Sequence, residues 1–428
     1  MNKYLLIALS FLMSSKVAAQ EILTKADAVA IALENNFDIR AIKTDVSAAE
    51  NNAKITNSGY LPNLSGNAGA DYSKSWVKQN GAKPEITNYS AGLRMDYTVF
   101  DGFGRKYSYA KLKEDYNLTD LQARFTMENT LLNLFSSYYE IARLTQNQIN
   151  QEQTLSISRE RLQRAKYSFE YGQNTQLDVL NAEVDYNSDS INYLTNSQQL
   201  ENEKHNLNLL LGRDINTVFE VDTTLTFTED LNLGSSLSDA KERNVSILQQ
   251  QGNVRNAYNQ IKVENASIIP KIGVYSSYGW SESINPFNVF PEVTRNTIGV
   301  GASLSWNIWD GGISNTRRQN SRLAKEKQEI TLEQTTLDLE RNVSNAWTAY
   351  QTALFVMEAQ AKNLETNQRN FDRTKEQYSL GQVTNIVFRQ AQFNLLTAQL
   401  NYSQAKYSAK NAELALLQLS GNILKASY

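Results

Sequence analysis

Tyr171-Gly172-Gln173-Asn174-Thr175-Gln176-Leu177-Asp178-Val179-Leu180-Asn181-Ala182-Glu183 returns as Leu380-Gly381-Gln382-Val383-Thr384-Asn385-Ile386-Val387-Phe388-Arg389-Gln390-Ala391-Gln392. Gly172 meets Gly381, Gln173 meets Gln382, Thr175 meets Thr384 and Ala182 meets Ala391, each 209 positions on. The same offset joins Phe100-Asp101-Gly102 to Trp309-Asp310-Gly311, and Gly212 to Gly421. Upstream it is 208, joining Pro62 to Pro270 and Ile39 to Ile247, so one residue has been gained between the prolines and the Asp-Gly pairs. A period held over half a chain dictates architecture before any single residue does. The chain is one unit written twice, bounded as 20–232 and 233–428.

The chain has 428 residues, a net charge of -3 and 41% hydrophobic residues. Two similar halves in one body suit that length, and the charge balance points to no nucleic-acid partner. No run of about 18 apolar residues is present to span a bilayer as a helix. Lys3 precedes an apolar core from Tyr4 to Met13, and Val17-Ala18-Ala19 supplies small residues for a cleavage site. Residues 1–19 are expected to be a secretory signal peptide, set apart from the fold. With no cysteine, disulfides, thiol catalysis and a lipid-anchored N-terminal cysteine are excluded. The single histidine, His205, cannot build a histidine metal cluster. No nucleophile-base-acid set stands out, and Gly102-Phe103-Gly104 has Tyr107 where a phosphate loop needs its third glycine. No enzyme activity, cofactor or metal is expected.

Thr24 to Asn36 reads as a short helix with Ala26, Val29, Ala30 and Leu33 on one face. Phe37 to Tyr60 continues helically until Leu61-Pro62, where the proline ends it. Strands follow at about 61–77 and 86–100, and again at about 270–281 and 296–309. Tyr89, Ala91, Leu93, Met95, Tyr97 and Val99 alternate with small or polar residues. So do Ile298, Val300, Ala302, Leu304, Trp306 and Ile308. Such alternation marks strands with one greasy face and one small, polar face. Gly81 and Pro84, and Pro286 and Pro291, place polar hairpin tips between them. The strand lengths suit tilted membrane strands. Trp76, Phe100, Trp280, Trp306 and Trp309 sit in or at the strand ends, where aromatics meet membrane interfaces.

Helical hairpins are expected over about 102–212 and 311–421, with tips at 172 and 381. Asp101 and Asp310 cap their first turns. Arg105 to Tyr171 and Ile313 to Leu380 contain no proline and no internal glycine. Each is long enough for a helix of roughly 100 Å. Toward the tips, apolar residues thin to one in seven: Leu155, Leu162 and Phe169, matched by Leu364, Phe371 and Tyr378. That spacing is a narrow coiled-coil seam. After the glycines the chain returns with Leu177, Leu180, Val184, Ile191 and Leu194, then Ile386, Phe393, Leu396 and Leu400, at three-and-four spacing. Between the halves, Val218-Phe-Glu-Val221 and Leu225-Thr-Phe227 are expected short strands.

Four strands cannot close a membrane barrel, which needs about eight or more and leaves no open edge. The barrel must be shared, and three chains supply twelve strands and twelve helical legs. Helices with only a narrow apolar seam suit the wall of a water-filled tube. The competing reading is a secreted or surface coiled-coil stalk without a pore.

The duplicated strand-hairpin and helix-hairpin unit, the Leu-Pro and Ile-Pro pairs, the Asp-Gly turns and the repeated tip together resemble the TolC-type outer-membrane efflux proteins. The likeness covers essentially the whole mature chain. It implies a mixed α+β fold, mostly α: a homotrimer whose 12-stranded β-barrel in outer-membrane lipid continues into a 12-helix α-barrel in the periplasm of a Gram-negative bacterium. It implies an outer-membrane channel-tunnel of a tripartite efflux or type I secretion system. The partners would be a periplasmic adaptor (membrane fusion) protein and an inner-membrane pump of RND, ABC or MFS type. Docking would use the tips, Gly172, Gln173, Thr175 and Leu177 with Gly381, Gln382, Thr384 and Ile386. It also implies a gate latch from Asp178 to Tyr378. Where well-known members carry aperture aspartates this chain has Val387 and Gln390, and Val383 stands where they carry an arginine. The aperture is thus expected to lack an acidic ring, with Arg389 beside it making it less cation-selective.

Overall fold

A computed structural model describes residues 22–76, 83, 85–228, 230–286 and 288–425. The expected signal peptide, 1–19, and Gly81 and Pro84 of the first hairpin loop lie outside the described residues. In chain order the elements are β1 (Ile22–Leu23), α1 (Lys25–Asn35), α2 (Phe37–Asn52), β2 (Asn63–Lys74), β3 (Glu85–Phe100), α3 (Gly104–Glu170) and α4 (Gln176–Leu210). There follow β4 (Glu220–Val221), α5 (Leu233–Arg243), α6 (Val245–Ala266), β5 (Lys271–Ile284), β6 (Glu292–Ser305), α7 (Ile313–Ser379) and α8 (Asn385–Leu419). The fold is mostly helical with one antiparallel sheet.

The repeat is visible element by element. Helices α3 and α7 are 67 residues each, and α4 and α8 are 35 each. Asp101 Oδ2 accepts from the Arg105 N–H at 2.7 Å and Asp310 Oδ2 from the Ser314 N–H at 2.9 Å, so both long helices start on the expected aspartate.

Two compact units emerge, and neither is a sequence repeat: each draws on both halves. The first comprises the residues up to Lys43, Ala123–Val245 and Thr336 onward. Its core is aromatic and aliphatic: Leu131, Leu134, Phe135, Tyr138 and Ile141 of α3 meet Leu200 and Leu207 of α4, with Tyr407 and Leu414 of α8. The Tyr138 hydroxyl donates to the Leu23 carbonyl at 2.8 Å and accepts from the Asp222 N–H at 2.9 Å. One buried phenol thereby pins β1 and the residue just after β4, the two strands themselves pairing in parallel. Of the expected short strands only Glu220–Val221 forms; 225–227 is irregular. On α1 the buried residues are Ala28 and Ala32, with Val29 and Ile31 packed beside them, whereas the expected Ala26 and Ala30 are exposed. Each return helix ends against a short helix in the same way. Asn36 Nδ2 donates to the Leu210 carbonyl at 2.8 Å, and Asn244 Nδ2 to the Leu419 carbonyl at 2.9 Å.

The second unit comprises Thr44–Gln122 and Ser246–Thr335. Helix α2 stops at Asn52, short of the expected Tyr60, and a turn over Ile55–Asn57 follows. The asparagines explain it, since Asn57 Nδ2 donates to the Asn51 carbonyl at 2.9 Å and holds the chain in a turn. The sheet has the order β2-β3-β5-β6, all antiparallel. Gly66, Leu93, Tyr278 and Ile298 make one cross-strand row, and Ser65, Arg94, Ser277 and Gly299 the next, on the opposite face. β6 ends at Ser305, which pairs with Lys271, so Trp306, Ile308 and Trp309 lie beyond the strand where they were expected inside it. Pro270 precedes Lys271 and has no N–H to extend the ladder. The β5–β6 tip is also less polar than expected, with Val289 and Phe290 exposed.

Candidate functional site

The two helix tips are built from the same local chemistry. Gly172 and Gly381 adopt φ of 71° and 73°, a left-handed turn that a side chain resists. The Gln173 N–H reaches back to the Ser168 carbonyl at 2.8 Å, and the Gln382 N–H to the Gln377 carbonyl at 2.9 Å. These bonds satisfy carbonyls that the ending helix leaves free. Thr175 and Thr384 then cap the return helices. At the first tip the cap is reciprocal: the Thr175 N–H donates to Asp178 Oδ2 at 3.0 Å and the Thr175 hydroxyl to the same oxygen at 2.7 Å. The Thr175 hydroxyl and N–H hold the Asp178 carboxyl below the ordinary carboxylate range. The matching position at the second tip is Val387, which returns no bond.

Both tips are open to solvent: Tyr171 is 80% exposed, Leu177 64% and Ile386 74%. Beside the first lies a groove of about 510 Å³ lined by Arg159, Gln163, Arg164, Tyr167, Tyr171 and Gln173. Tyr378 and Asp178 are not joined within the chain. The phenol ring stacks on Phe388 at 4.6 Å between centroids, with the Arg164 guanidinium 5.0 Å from its face. Asp178 is instead committed to its own helix cap. The latch contact carried over from the resemblance is therefore absent within the chain, and Tyr378 belongs to the apolar cluster of Phe371, Phe388, Ala391 and Leu395.

The second half of the expected seam holds, since Leu364, Phe371 and Tyr378 all pack in that cluster. The first half does not. Along α3 the buried side is Thr154, Ser158, Arg161 and Ala165, while Phe169 is exposed. This seam is ionic. Arg161 Nη2 meets Asp185 Oδ2 at 3.0 Å and donates to Asn385 Oδ1 at 2.7 Å, and its Nη1 donates to Gln392 Oε1 at 3.3 Å. Arg389 holds both oxygens of Asp189, at 2.7 and 2.9 Å, and lies 3.3 Å from Asp185 Oδ1. Arg389 is thus paired with two carboxylates of α4, the buried Asp189 and the half-buried Asp185. Val387 and Gln390 are exposed. The signal missed in the sequence is the spacing of Asp185 and Asp189, four apart on one helical face beside Ala182.

Two surfaces of the chain are apolar and uncovered. On α4 the stripe Leu177, Leu180, Val184, Ile191 and Leu194 is at least half exposed throughout, while that helix buries Ala182, Asp189 and Asn196 instead. In the sheet, the apolar face carries Ile298 and Val300, each 79% exposed, and among the described residues no second layer covers it. Among the described residues the edges β2 and β6 have no strand partner beyond β3 and β5. The opposite face is small and polar, with Arg94 bonded to Asp96 and set 4.5 Å from the Tyr275 ring. Of the expected interface aromatics, Phe100 ends β3, Trp280 lies inside β5 and Trp76 follows β2. Trp306 donates from its indole to the Ile268 carbonyl at 3.1 Å.

The outer membrane efflux protein family model matches the chain twice, over 28–213 and 236–422. The outer membrane efflux protein BepC of Brucella suis is 22% identical over 98% of this chain and 90% of its own length. The outer membrane protein TolC of Escherichia coli is 22% identical over 87% of this chain and 77% of its own. The CmeC outer membrane channel of Campylobacter jejuni superposes with a TM-score of 0.81 at 16% identity, covering 93% of this chain and 86% of that one.

Proposed function

The chain belongs to the outer membrane efflux protein family, and from that premise we propose that it is the outer-membrane subunit of a tripartite export system. It acts as a passive duct, taking cargo from an inner-membrane pump of RND, ABC or MFS type and a periplasmic adaptor to the exterior. The observation that carries this reading is the bare four-stranded sheet. A single layer with one apolar face and two open edges is unstable in water, because the apolar face is unburied and unpaired edges recruit other strands. Three copies joined edge to edge close a twelve-stranded barrel, with the apolar face toward lipid and the polar face toward the passage. The same three-fold assembly covers the α4 stripe. A stalk without a pore would leave both surfaces unexplained.

The helical part is assigned to the periplasm and the tips to the adaptor. Exposed Tyr171, Leu177, Leu380 and Ile386, next to the Arg159–Tyr171 groove, offer the mixed aromatic and aliphatic surface that such docking uses. Closure of the tip is assigned to the packing of the hairpins, since Asp178 and Tyr378 have other partners within the chain. Purified trimer in planar bilayers should show small, steady single-channel currents, and Tyr378→Ala, which removes the ring stacked on Phe388, should raise them. Inserted protein that passes no current would defeat the duct.

A further inference from the structure

The polar face of the sheet is built mostly from small side chains, and among the described strand residues Tyr275 is the one aromatic on it. Tyr275 stands opposite Gly301 of β6. A Cβ placed on Gly301 would come within 2.6 Å of the Tyr275 Cζ and hydroxyl oxygen. Since a Cβ sits at the height of the wall itself, a ring tip at that place lies along the wall. The guanidinium of Arg94 on β3 sits over the ring, 4.5 Å from its centroid. Arg94 is held in turn by Asp96, its Nε and Nη2 each 2.9 Å from a carboxylate oxygen. Side chains on a strand otherwise stand roughly perpendicular to the sheet. Two features keep this phenol down, the missing Cβ of Gly301 and the cation of Arg94.

We propose that Gly301 and Arg94 are positioning residues that hold Tyr275 flat against the wall of the outer-membrane passage, and that three such stacks, one per chain, set the widest cargo the barrel admits. This rests on the trimeric duct proposed above. Twelve tilted strands about 4.8 Å apart make a ring roughly 24 Å across between backbones. The rest of the row that holds Tyr275 is Asn63, Asp96 and Gly301, all shorter than the phenol. Three rings raised from the wall at that level narrow the passage from three sides, and three rings laid flat leave it open. A glycine inside a strand weakens it and marks a close approach, and at Gly301 the close approach is the ring.

The absence of cysteine allows a direct test. Ser283 lies near the hairpin end of β5 and Ser305 ends β6 on the helical side, both on the polar face with the Tyr275 row between them. Each is changed singly to cysteine in the full chain. Intact cells are then treated with maleimide-linked polyethylene glycols of graded mass, which reach Ser305→Cys from outside only by passing Tyr275. Gel shift reads the labelling rate, and in the wild-type background both cysteines should label. Gly301→Val lifts the ring while valine suits a strand. It should slow labelling of Ser305→Cys several-fold for the larger polymers and leave Ser283→Cys unchanged. Gly301→Val/Tyr275→Ala should restore the rate, which a merely damaged barrel would not do. Gly301→Ala meets the same ring with one methyl and should slow labelling less, which keeps the test open if the valine protein fails to insert. Equal rates in every background, or slowing that persists without Tyr275, would overturn the inference. Inserted wild-type protein in which neither cysteine labels would instead bring down the duct reading, and this inference with it.

Discussion

At the residue scale, glycines with the same φ carry different burdens. Gly172 turns the chain at φ 71° in open space, whereas Gly212 turns it at φ 66° with a Cβ position only 2.3 Å from the Asn35 carbonyl oxygen. Gly421 repeats the second case against the Arg243 carbonyl at 2.8 Å. Gly172→Ala should therefore cost about 1 kcal/mol, the usual strain of a left-handed alanine. Gly212→Ala should cost more than about 2 kcal/mol, since backbone must move as well. Thermal unfolding of the detergent-solubilised protein checks the order, and a costlier Gly172→Ala would contradict it. Asp178 also finds its meaning at this scale. Its carboxylate serves the cap of α4, and Val387, 209 positions on, shows that the second tip does without one.

At the element scale, the long helices follow from what they lack. A stretch with neither proline nor glycine has no place to break, so α3 and α7 run for 67 residues each. Their neighbours divide the work. In the part nearer the tip, up to Asn196, helix α4 buries small and polar residues within the chain and keeps its aliphatic stripe outside, which is the pattern of a helix with a second partner. Ile191→Glu places a charge in the middle of that stripe without touching the core. The substitution should leave the helical content of the chain intact and lose the trimer, which circular dichroism and native mass spectrometry can separate. A stable trimer of the variant would show that the stripe faces water.

At the scale of the whole molecule, the phenols of the first unit set an alkaline limit. Burial pushes the Tyr138 and Tyr407 hydroxyls up to about 12, and Tyr139 higher still. In the unfolded chain a tyrosine ionises near pH 10, so over the interval the unfolded state holds fewer protons than the folded one. Stability must then fall as pH climbs from about 10 toward about 12. Melting points measured across that range should drop, and less steeply in Tyr138→Phe. That variant also orphans the Asp222 N–H and the Leu23 carbonyl, at a cost of about 1–3 kcal/mol at neutral pH. A flat profile in the wild type would refute the burial argument.

The sequence by itself determined the period, the long helices, the Asp-Gly starts, the glycine tips and the two-faced strands. All of these are local: a capping bond spans three or four residues and a strand alternates every second one. The family resemblance likewise rode on the repeated tip. Tertiary structure alone decided which stripe is buried at the tips, because Arg161 is matched by Asn385 across 224 positions and Arg389 by Asp189 across 200. It decided that β6 stops at Ser305, since the partner strand begins only after Pro270. It decided, too, that the compact units cut across the repeats. A repeat records how the gene was written, whereas a core gathers whichever apolar faces the folded chain brings together.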